Sequence, residues 1–461
     1  MRDAIFDSQL SKDMNLEKLI ALFKSNGANR IIYKRLSPND NSKNQPYMGN
    51  HLTNLSFIPT GEIQDTKSDS KKISDPKRKI KYLANLEFNW MDGEGRLFEA
   101  PNAKLIYYPQ YPEVRLSGFL QGCSINSGGW MDPKIYGRDE GRVLLFGINS
   151  RGVIAFLAIP DSNLAREIEA VDENNFDLTG IFKEITIDSS IGHDSKVLLL
   201  EELKRIHLSE WIDSKRLNSD GNLQSYLAQN GGGYTLEAEL GIKPNGDANP
   251  DFYGWEVKQF AVNNFAKIGN KALTLMTPEP NGGVYVDEGV ERFVLDYGYT
   301  KNDGERYDFT GIHNYEKIHA RTGLKLILHG YDYDSNTITK ADGFVGLITA
   351  GENIAGSWSF AKLIGHWKRK HAKAVYVPSM SRMSDDIKQY HYGNHIRLFQ
   401  NTDFYLFLRA VYEGKIYYDP GIKLARRDAR YVSKRRSQFR VKSNDLVNIY
   451  KEKEELDLLS V

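Results

Sequence analysis

The stretch from Gly231 to Lys258, GGGYTLEAELGIKPNGDANPDFYGWEVK, holds the densest cluster of chemically active side chains in the sequence. Its last five residues, GWEVK, alternate as a β-strand does, so Glu256 and Lys258 share one face while the apolar side chains beside them take the other. Asp251 precedes Glu256 by five residues, and a turn between them would bring both carboxylates to one cation. Glu237 lies in the preceding predicted helix, TLEAELGI.

Two carboxylates beside a lysine are the groups that metal-dependent cleavage of phosphodiesters requires. Mg²⁺ prefers carboxylate oxygens and keeps several of its waters, and the metal neutralises phosphate charge and activates a water. Lys258 would orient that water or stabilise the developing negative charge. We expect the glycines at 231–233 and the run NGDANP to form the turns that bring these pieces together. Such triplets also occur by chance, and a surface strand with an incidental Glu–Lys pair is the alternative.

The segments GGGYTLEAELGI, PDF and GWEVK, with WIDSKRL upstream, resemble the MvaI/BcnI restriction endonucleases, which are MutH-like PD-(D/E)xK nucleases. The resemblance covers roughly residues 195–450. It implies an α/β nuclease core that cuts double-stranded DNA with Mg²⁺ as cofactor. It also assigns four catalytic residues, of which the second and third hold the metal: Glu237, Asp251, Glu256 and Lys258.

The first half of the chain carries a second resemblance. IIYKRLSPNDNSKNQPYMGNHL and LIYYPQYPEVRLSGF resemble two arms of the EcoRII-type effector domain, a β-rich DNA-binding pseudobarrel. One departure is that NSKNQPYMGN stands where that family has a Gly-rich stretch. An effector domain of this type joined to an MvaI-like nuclease is the layout of UbaLAI-like enzymes, which the chain resembles as a whole.

The arms themselves contain the side chains that DNA recognition uses. Lysine and arginine contact phosphates, while arginine, asparagine and acidic groups can read base edges. An ordinary turn for the first arm and a cross-strand ion pair for the second are the alternatives. The candidate DNA-binding residues of the two arms are Lys34, Arg35, Ser37, Asn39, Asp40, Glu113 and Arg115.

The expected fold class is a two-domain α+β protein, since 461 residues suffice for two or three domains. Short β-rich runs fill residues 28–160, helical spacing marks 15–26 and 195–217, and an acidic segment separates the halves. We therefore expect three parts, which are an effector domain at 1–165, a linker at 166–194 and a nuclease domain at 195–461.

The charge of the sequence is balanced overall and uneven locally. Lys and Arg number 61 against 60 acidic residues, so no strongly cationic whole-chain character points to nucleic acid. Two runs nevertheless carry many cations and few or no acids, at 361–373 and 423–442. A solvated face is the ordinary explanation of such runs, and in a neutral chain we favour phosphate contact.

A further group of candidate residues lies in the second half of the chain. The family reads bases from this region, so we expect the group to contact the major groove; a core or surface histidine pair is the alternative. A zinc site is disfavoured because the chain has one cysteine, Cys123. The base-reading candidates are Arg382, His391, His395 and Arg397.

The two resemblances together imply a type II restriction endonuclease that cuts a C/G-flanked, CCWGG-like site and leaves 5′-phosphates. A cognate DNA methyltransferase would be its partner in the same system, and a monomer is favoured. With a lone cysteine, no long apolar run and a charged N-terminus, we expect a bacterial cytoplasmic protein without a membrane partner. Two other classes stay open: a sequence- or methylation-sensing DNA-binding protein with a vestigial nuclease site, and a carbohydrate- or peptide-binding β-domain fused to an unrelated enzyme.

Overall fold

The structure is a computed structural model that describes residues 14–37, 45–67, 74–75, 79–124, 141–170, 178–185, 195–228, 230–243, 252, 254–266, 270–301, 305–427 and 430–460. The chain divides into two compact units, Met1–Asp194 and Ser195–Val461. Within the described ranges no helix has the length and apolar character needed to cross a membrane. The mixed, strand-rich structure confirms the expected α+β class.

The N-terminal unit is mostly β-structure. Helix α1 (Leu16–Ser25) confirms the helical spacing seen in the sequence, and the Asn15 side chain caps it by accepting from the Lys18 amide. Helix α2 spans Asn163–Ala170. The strands are β1 (Arg30–Arg35), β2 (Tyr47–Gly49), β3 (Ile63–Lys67), β4 (Ile80–Asn85), β5 (Phe88–Met91), β6 (Leu97–Glu99), β7 (Lys104–Tyr108), β8 (Glu113–Ser117), β9 (Val143–Ile148), β10 (Val153–Ala158), β11 (Leu178–Thr179) and β12 (Phe182–Ile185).

Two sheets organise the described part of this unit, in the strand orders β11-β12-β1-β9-β10-β5-β6 and β2-β8-β7-β4-β3. Strands β9 and β10 are buried at every residue, as apolar runs of this kind require. Both helices pack on the first sheet through Phe23 and Ile168. A Cβ at Gly147 would lie 2.6 Å from the Phe23 ring, so the glycine allows α1 to approach the sheet closely.

The segment that we expected to be a linker contains folded structure. Helix α2 extends into it, and strand β12 pairs with β1 through Ile185 opposite Ile31. Phe182 and Ile185 are buried despite the acidic composition around them. These two side chains tie the segment to the first unit.

The C-terminal unit combines the remaining helices and strands. Helix α3 ends at Leu208, and the WIDSKRL segment, for which we predicted a helix, forms strands instead. The helices are α3 (Ser195–Leu208), α4 (Gly231–Glu239), α5 (Val284–Asp287), α6 (Gly289–Tyr297), α7 (Phe360–Lys370) and α8 (Phe404–Tyr412). The strands are β13 (Ile212–Asp213), β14 (Lys215–Leu217), β15 (Leu223–Ser225), β16 (Glu256–Ala261), β17 (Ala272–Met276), β18 (Tyr299–Lys301), β19 (Arg306–Thr310), β20 (Lys325–His329), β21 (Tyr331–Asp332), β22 (Thr337–Ile338), β23 (Phe344–Ile348), β24 (Ile354–Ser359), β25 (Lys373–Ser384), β26 (Ile387–Tyr392), β27 (His395–Gln400), β28 (Ile416–Tyr418), β29 (Gly421–Arg427), β30 (Arg430–Lys434), β31 (Phe439–Lys442) and β32 (Glu452–Asp457).

The sheet that carries the candidate site has the strand order β13-β26-β25-β27-β32, and β16 pairs parallel to β25. One face packs on α3 and α4 in a core that includes Leu203, Leu236 and Val257. The unit also contains smaller sheets, among them β17-β31-β28 and β18-β19-β29-β30.

Candidate active site

Glu256 and Lys258 are the first and third residues of β16, which pairs with β25, and their side chains lie next to each other. Glu256 is opposite Ala374 and Lys258 is opposite Tyr376, while Val257 between them faces the core on the other side of the sheet. The Lys258 ammonium donates to Glu256 Oε1 at 2.9 Å. Glu256 is only 5% exposed, so this face of the strand is covered as well, which the alternation of charged and apolar residues did not indicate.

A second lysine completes the surroundings of this carboxylate. Lys370, the last residue of α7, donates to Glu256 Oε2 at 3.2 Å. Burial alone would raise the pKa of Glu256, but Lys258 and Lys370 outweigh burial and lower the pKa below its ordinary value. The site therefore holds an ionised carboxylate with a cation at each oxygen.

The sequence did not identify Lys370 as a site residue, and it assigned the run 361–373 to phosphate contact. Part of this run is buried and is not available to bind phosphates. Lys368, for example, is buried, and burial lowers its pKa to about 7. Lys370 stands just before β25, whose start pairs beside Glu256. Lys370 could have been identified as a neighbour of Glu256 only if the pairing of β16 with β25 had been known.

A cleft of about 530 Å³ opens beside Lys258. Among the described residues, the charged side chains that line it are all cations, namely Lys258, Lys271 and Arg440. Arg440 is held in place by Asp419 at 2.7 Å and by the Ala272 carbonyl at 2.8 Å. A cleft with this lining suits a polyanion such as the sugar–phosphate backbone.

The glycines at 231–233 do not form the turn that we expected; they begin helix α4. A Cβ at Gly231 would lie 2.7 Å from Ser214 Oγ and 2.8 Å from Tyr390 Oη. Tyr392 donates to the Gly232 carbonyl at 2.7 Å. The missing side chains thus let the helix begin directly against the sheet.

Helix α4 also carries Glu237, which is half-buried. The helix packs through Leu236 into the core that contains Val257. Its other acid, Glu239, forms ion pairs with Lys215 at 2.5 Å and Arg205 at 3.2 Å. Glu237 as a member of the catalytic set stays a prediction.

Asp251 lies outside the described residues. Among the residues that are described, no three acidic, histidine or cysteine side chains converge as metal ligands. Glu256 fits the role of one ligand, because its ionised carboxylate supplies the hard oxygen that Mg²⁺ prefers. The assignment of Asp251 as the second ligand stays a prediction.

The profile of the MvaI/BcnI restriction endonuclease family matches residues 200–450, which is more than half of the chain. The chain belongs to this family. It is therefore an enzyme, a type II restriction endonuclease. The match lies within the C-terminal unit and includes β16, α7 and β25.

Comparisons with individual proteins add the following. Restriction endonuclease MvaI in complex with a cognate DNA substrate is similar at 18% identity, over 57% of this chain and 98% of that chain, with a TM-score of 0.44. MvaI in the absence of DNA has the same identity and coverage, with a TM-score of 0.33. A comparison with curated proteins returned no match.

Two of the candidate base-reading residues of this MvaI/BcnI family member lie close together in the structure. Arg382 and His391 both contact Trp211, with the guanidinium 4.2 Å from the ring centre and the two rings 5.6 Å apart. Arg382 also donates to Gln389 at 2.8 Å on the paired strand. Burial, first of all, lowers the pKa of His391. Sequence reasoning missed Trp211, although WIDSKRL was part of the resemblance.

The other two candidates of this group lie on the next strand, β27. His395 is exposed at the start of the strand. Arg397 forms an ion pair with Glu455 on β32 at 3.2 Å. The four candidates therefore occupy three adjacent strands of one sheet, β26, β25 and β27, and their contact with DNA stays a prediction.

In the N-terminal unit the two candidate arms meet at Tyr47. Lys34 donates to the Tyr47 carbonyl at 2.6 Å, and the Arg115 guanidinium lies 5.6 Å from the centre of its ring. Arg115 also pairs with Glu113 at 2.8 Å, along one strand rather than across two. It donates further to the Gln45 carbonyl at 3.1 Å.

The remaining residues of the first arm follow β1. Arg35 and Ser37 are exposed. Asn39 and Asp40 lie outside the described residues. Tyr47 was not singled out by the sequence, yet its ring lies near the cationic groups of Lys34 and Arg115. The signal that was available is its place within the first arm, in NSKNQPYMGN.

Proposed function

We propose that this enzyme hydrolyses both strands of double-stranded DNA at a short CCWGG-like site, with Mg²⁺ as cofactor, and leaves 5′-phosphate and 3′-hydroxyl ends. The observation that carries the proposal is the ionised Glu256 between two lysines at the edge of a cationic cleft, in a member of a restriction endonuclease family. A bacterial cytoplasm and a cognate methyltransferase that protects host DNA belong to this proposal.

Each group in and around the cleft has a role in this chemistry. Glu256, together with Asp251, would hold Mg²⁺, which when bound neutralises phosphate charge and acidifies a water. Lys258 stands at Glu256 Oε1, where it can orient the attacking water and stabilise the negative charge that develops on the phosphate. Lys271 and Arg440 would hold the backbone in the cleft. Glu237 is the fourth proposed member of the site.

Sequence readout is proposed for two separate places. In the nuclease unit, Arg382, His391, His395 and Arg397 would contact base edges in the major groove. In the N-terminal unit, an EcoRII-like effector domain would bind a further copy of the site through Lys34, Arg35, Ser37, Asn39, Asp40, Glu113 and Arg115. With one active-site set per chain, a monomer would cut the two strands in successive nicks.

The first test removes single catalytic groups. Asp251→Ala and Lys258→Ala should each lower the single-turnover cleavage rate by roughly 10²- to 10⁴-fold, because each removes a group that acts on the reacting phosphate. Binding of cognate duplex, measured with Ca²⁺ in place of Mg²⁺, should remain. Lys317→Ala, which removes an exposed lysine elsewhere, is the control. Near-normal cleavage by either active-site variant would overturn the assignment.

The second test concerns the N-terminal unit in the full-length enzyme. Arg115→Ala should lower cleavage of DNA with several sites, and activation by added cognate duplex, without changing the bond that is cut. A bidentate base contact contributes about 1–3 kcal/mol of discrimination, so the variant should also lose preference for cognate over scrambled activator. Lys34→Ala should instead weaken binding to all DNA and reduce its salt dependence. Unchanged preference in the Arg115 variant contradicts the effector assignment.

A further inference from the structure

The described residues of the hairpin formed by β29 and β30 include five exposed cations. Arg426 lies on one face, and the four on the opposite face, which we call the basic ribbon, are Lys423, Arg427, Arg430 and Lys434. Lys423 is directly opposite Lys434, and Arg427 is directly opposite Arg430. Residues opposite one another in an antiparallel pair share a face, as do residues four apart on a strand, so all four side chains stand on one face.

This arrangement opposes folding. Like charges directly across an antiparallel pair destabilise it, and the ribbon contains two such pairs in succession. On the neighbouring strand the buried Asp308 is directly opposite Lys423, and it accepts from Arg306 through both carboxylate oxygens, so its charge is shared between the two cations. Exposed positions such as these accept uncharged polar residues without loss of packing. A polyanionic ligand would offset the repulsion.

The ribbon borders a groove of about 180 Å³. Ala425 and Val432 lie between the cationic pairs, and Arg306, opposite Ala425 on the next strand, lines the groove as well. Along a strand, residues four apart are about 13 Å apart, and duplex DNA presents one charge per roughly 1.7 Å of its axis. Several phosphates therefore fall within reach of the ribbon. Its two lysines are point charges and its two arginines can bind phosphate oxygens in pairs, so the set suits the sugar–phosphate backbone.

The ribbon is distinct from the active-site cleft. The residues that line its groove do not include any that line the cleft beside Lys258. The hairpin also belongs to the β18-β19-β29-β30 sheet rather than to the sheet of β16 and β25. A duplex bound at Lys258 would therefore contact the ribbon with a segment other than the one that is cut.

We propose that the basic ribbon binds the sugar–phosphate backbone of DNA outside the cleaved site, so that it adds salt-dependent affinity without sequence preference. The inference rests on the proposed function only in taking DNA as the partner of this enzyme.

The test compares two double variants of the full-length protein. Lys423→Gln with Lys434→Gln removes one opposed pair, and Lys317→Gln with Lys453→Gln removes two exposed lysines elsewhere as the control. Binding is measured in Ca²⁺ at several salt concentrations on two duplexes with the same site. The short duplex ends just outside the site, and the long duplex extends several helical turns beyond it.

We expect the ribbon variant to lose more affinity for the long duplex than for the short one. On the long duplex its slope of log affinity against log salt should fall by about 1.8, since two phosphate contacts are lost. The same slope change should appear on a long duplex without the site. Arg427→Gln with Arg430→Gln should behave alike, and neither variant should unfold at a lower temperature than wild type, because each removes like-charge repulsion.

Three results would overturn the ribbon proposal: unchanged binding of the long duplex, an equal loss on both duplexes, or the same loss in the Lys317/Lys453 control. Preferential loss of RNA or acidic-protein binding, with DNA binding intact, would also overturn it. Failure of the proposed nuclease function would look different, since wild-type protein would then bind DNA through the ribbon without cutting it.

Discussion

At the scale of single residues, the account depends on how a buried carboxylate stays charged. An ion removed from water is destabilising by several kcal/mol unless partners and hydrogen bonds offset this. Lys258 and Lys370 provide them to Glu256, one at each oxygen. Strand alternation was enough to predict that Glu256 and Lys258 share a face. It was not enough to predict Lys370, which is 114 residues away in the chain.

Lys370→Ala should therefore destabilise the metal-free protein, by about 1–3 kcal/mol in urea unfolding, because Glu256 keeps only one cation. Lys370→Arg keeps the charge and is the matched control. If Mg²⁺ binds at Glu256, it replaces the lost charge, so saturating Mg²⁺ should reduce the deficit of the Ala variant. Equal stability of the Ala and Arg variants would contradict the role given to Lys370.

At the scale of elements, local patterns were sufficient where an element's own residues decide its structure. Helix α1 and the strand GWEVK formed as periodicity predicted. The pattern failed where distant pairing decides: β12 joins β1 across about 150 residues, and a run with acidic composition became part of a sheet. The prediction of a turn at the glycines of α4 was wrong for a related reason, because their close packing against Tyr390 cannot be seen in the local sequence.

The two ends of that glycine triplet make a matched pair of substitutions. Gly231→Ala should destabilise the protein by about 1–3 kcal/mol, since its Cβ would collide with Ser214 and Tyr390. Gly233→Ala has no atom within 4 Å of its Cβ and should stabilise the helix by about 0.5–1 kcal/mol. Thermal unfolding of both variants decides this. The same sign for both changes would contradict the close packing of α4.

At the scale of the whole molecule, a nearly neutral chain concentrates its cations at particular places. This is how a net charge of +1 is compatible with binding a polyanion. The two compact units and the family match at 200–450 further suggest that nuclease activity resides in the second unit.

Residues 195–461 produced alone should accordingly unfold cooperatively and retain Mg²⁺-dependent cleavage, because all four proposed catalytic residues lie there. Circular dichroism and a plasmid assay are the measurements, with residues 1–194 as the partner fragment that should bind DNA and not cut it. An unfolded C-terminal fragment would show that the proposed boundary is wrong.

The most direct test of the central claim is to incubate the full-length protein with plasmid and Mg²⁺ and to map the ends of the products. The account predicts cuts in both strands at one short C/G-flanked sequence, with 5′-phosphate and 3′-hydroxyl ends, no cuts without a divalent metal, and cleavage roughly 10²- to 10⁴-fold slower with Lys258→Ala. Near-normal cleavage by Lys258→Ala, ends with 3′-phosphates, or an intact plasmid would contradict it.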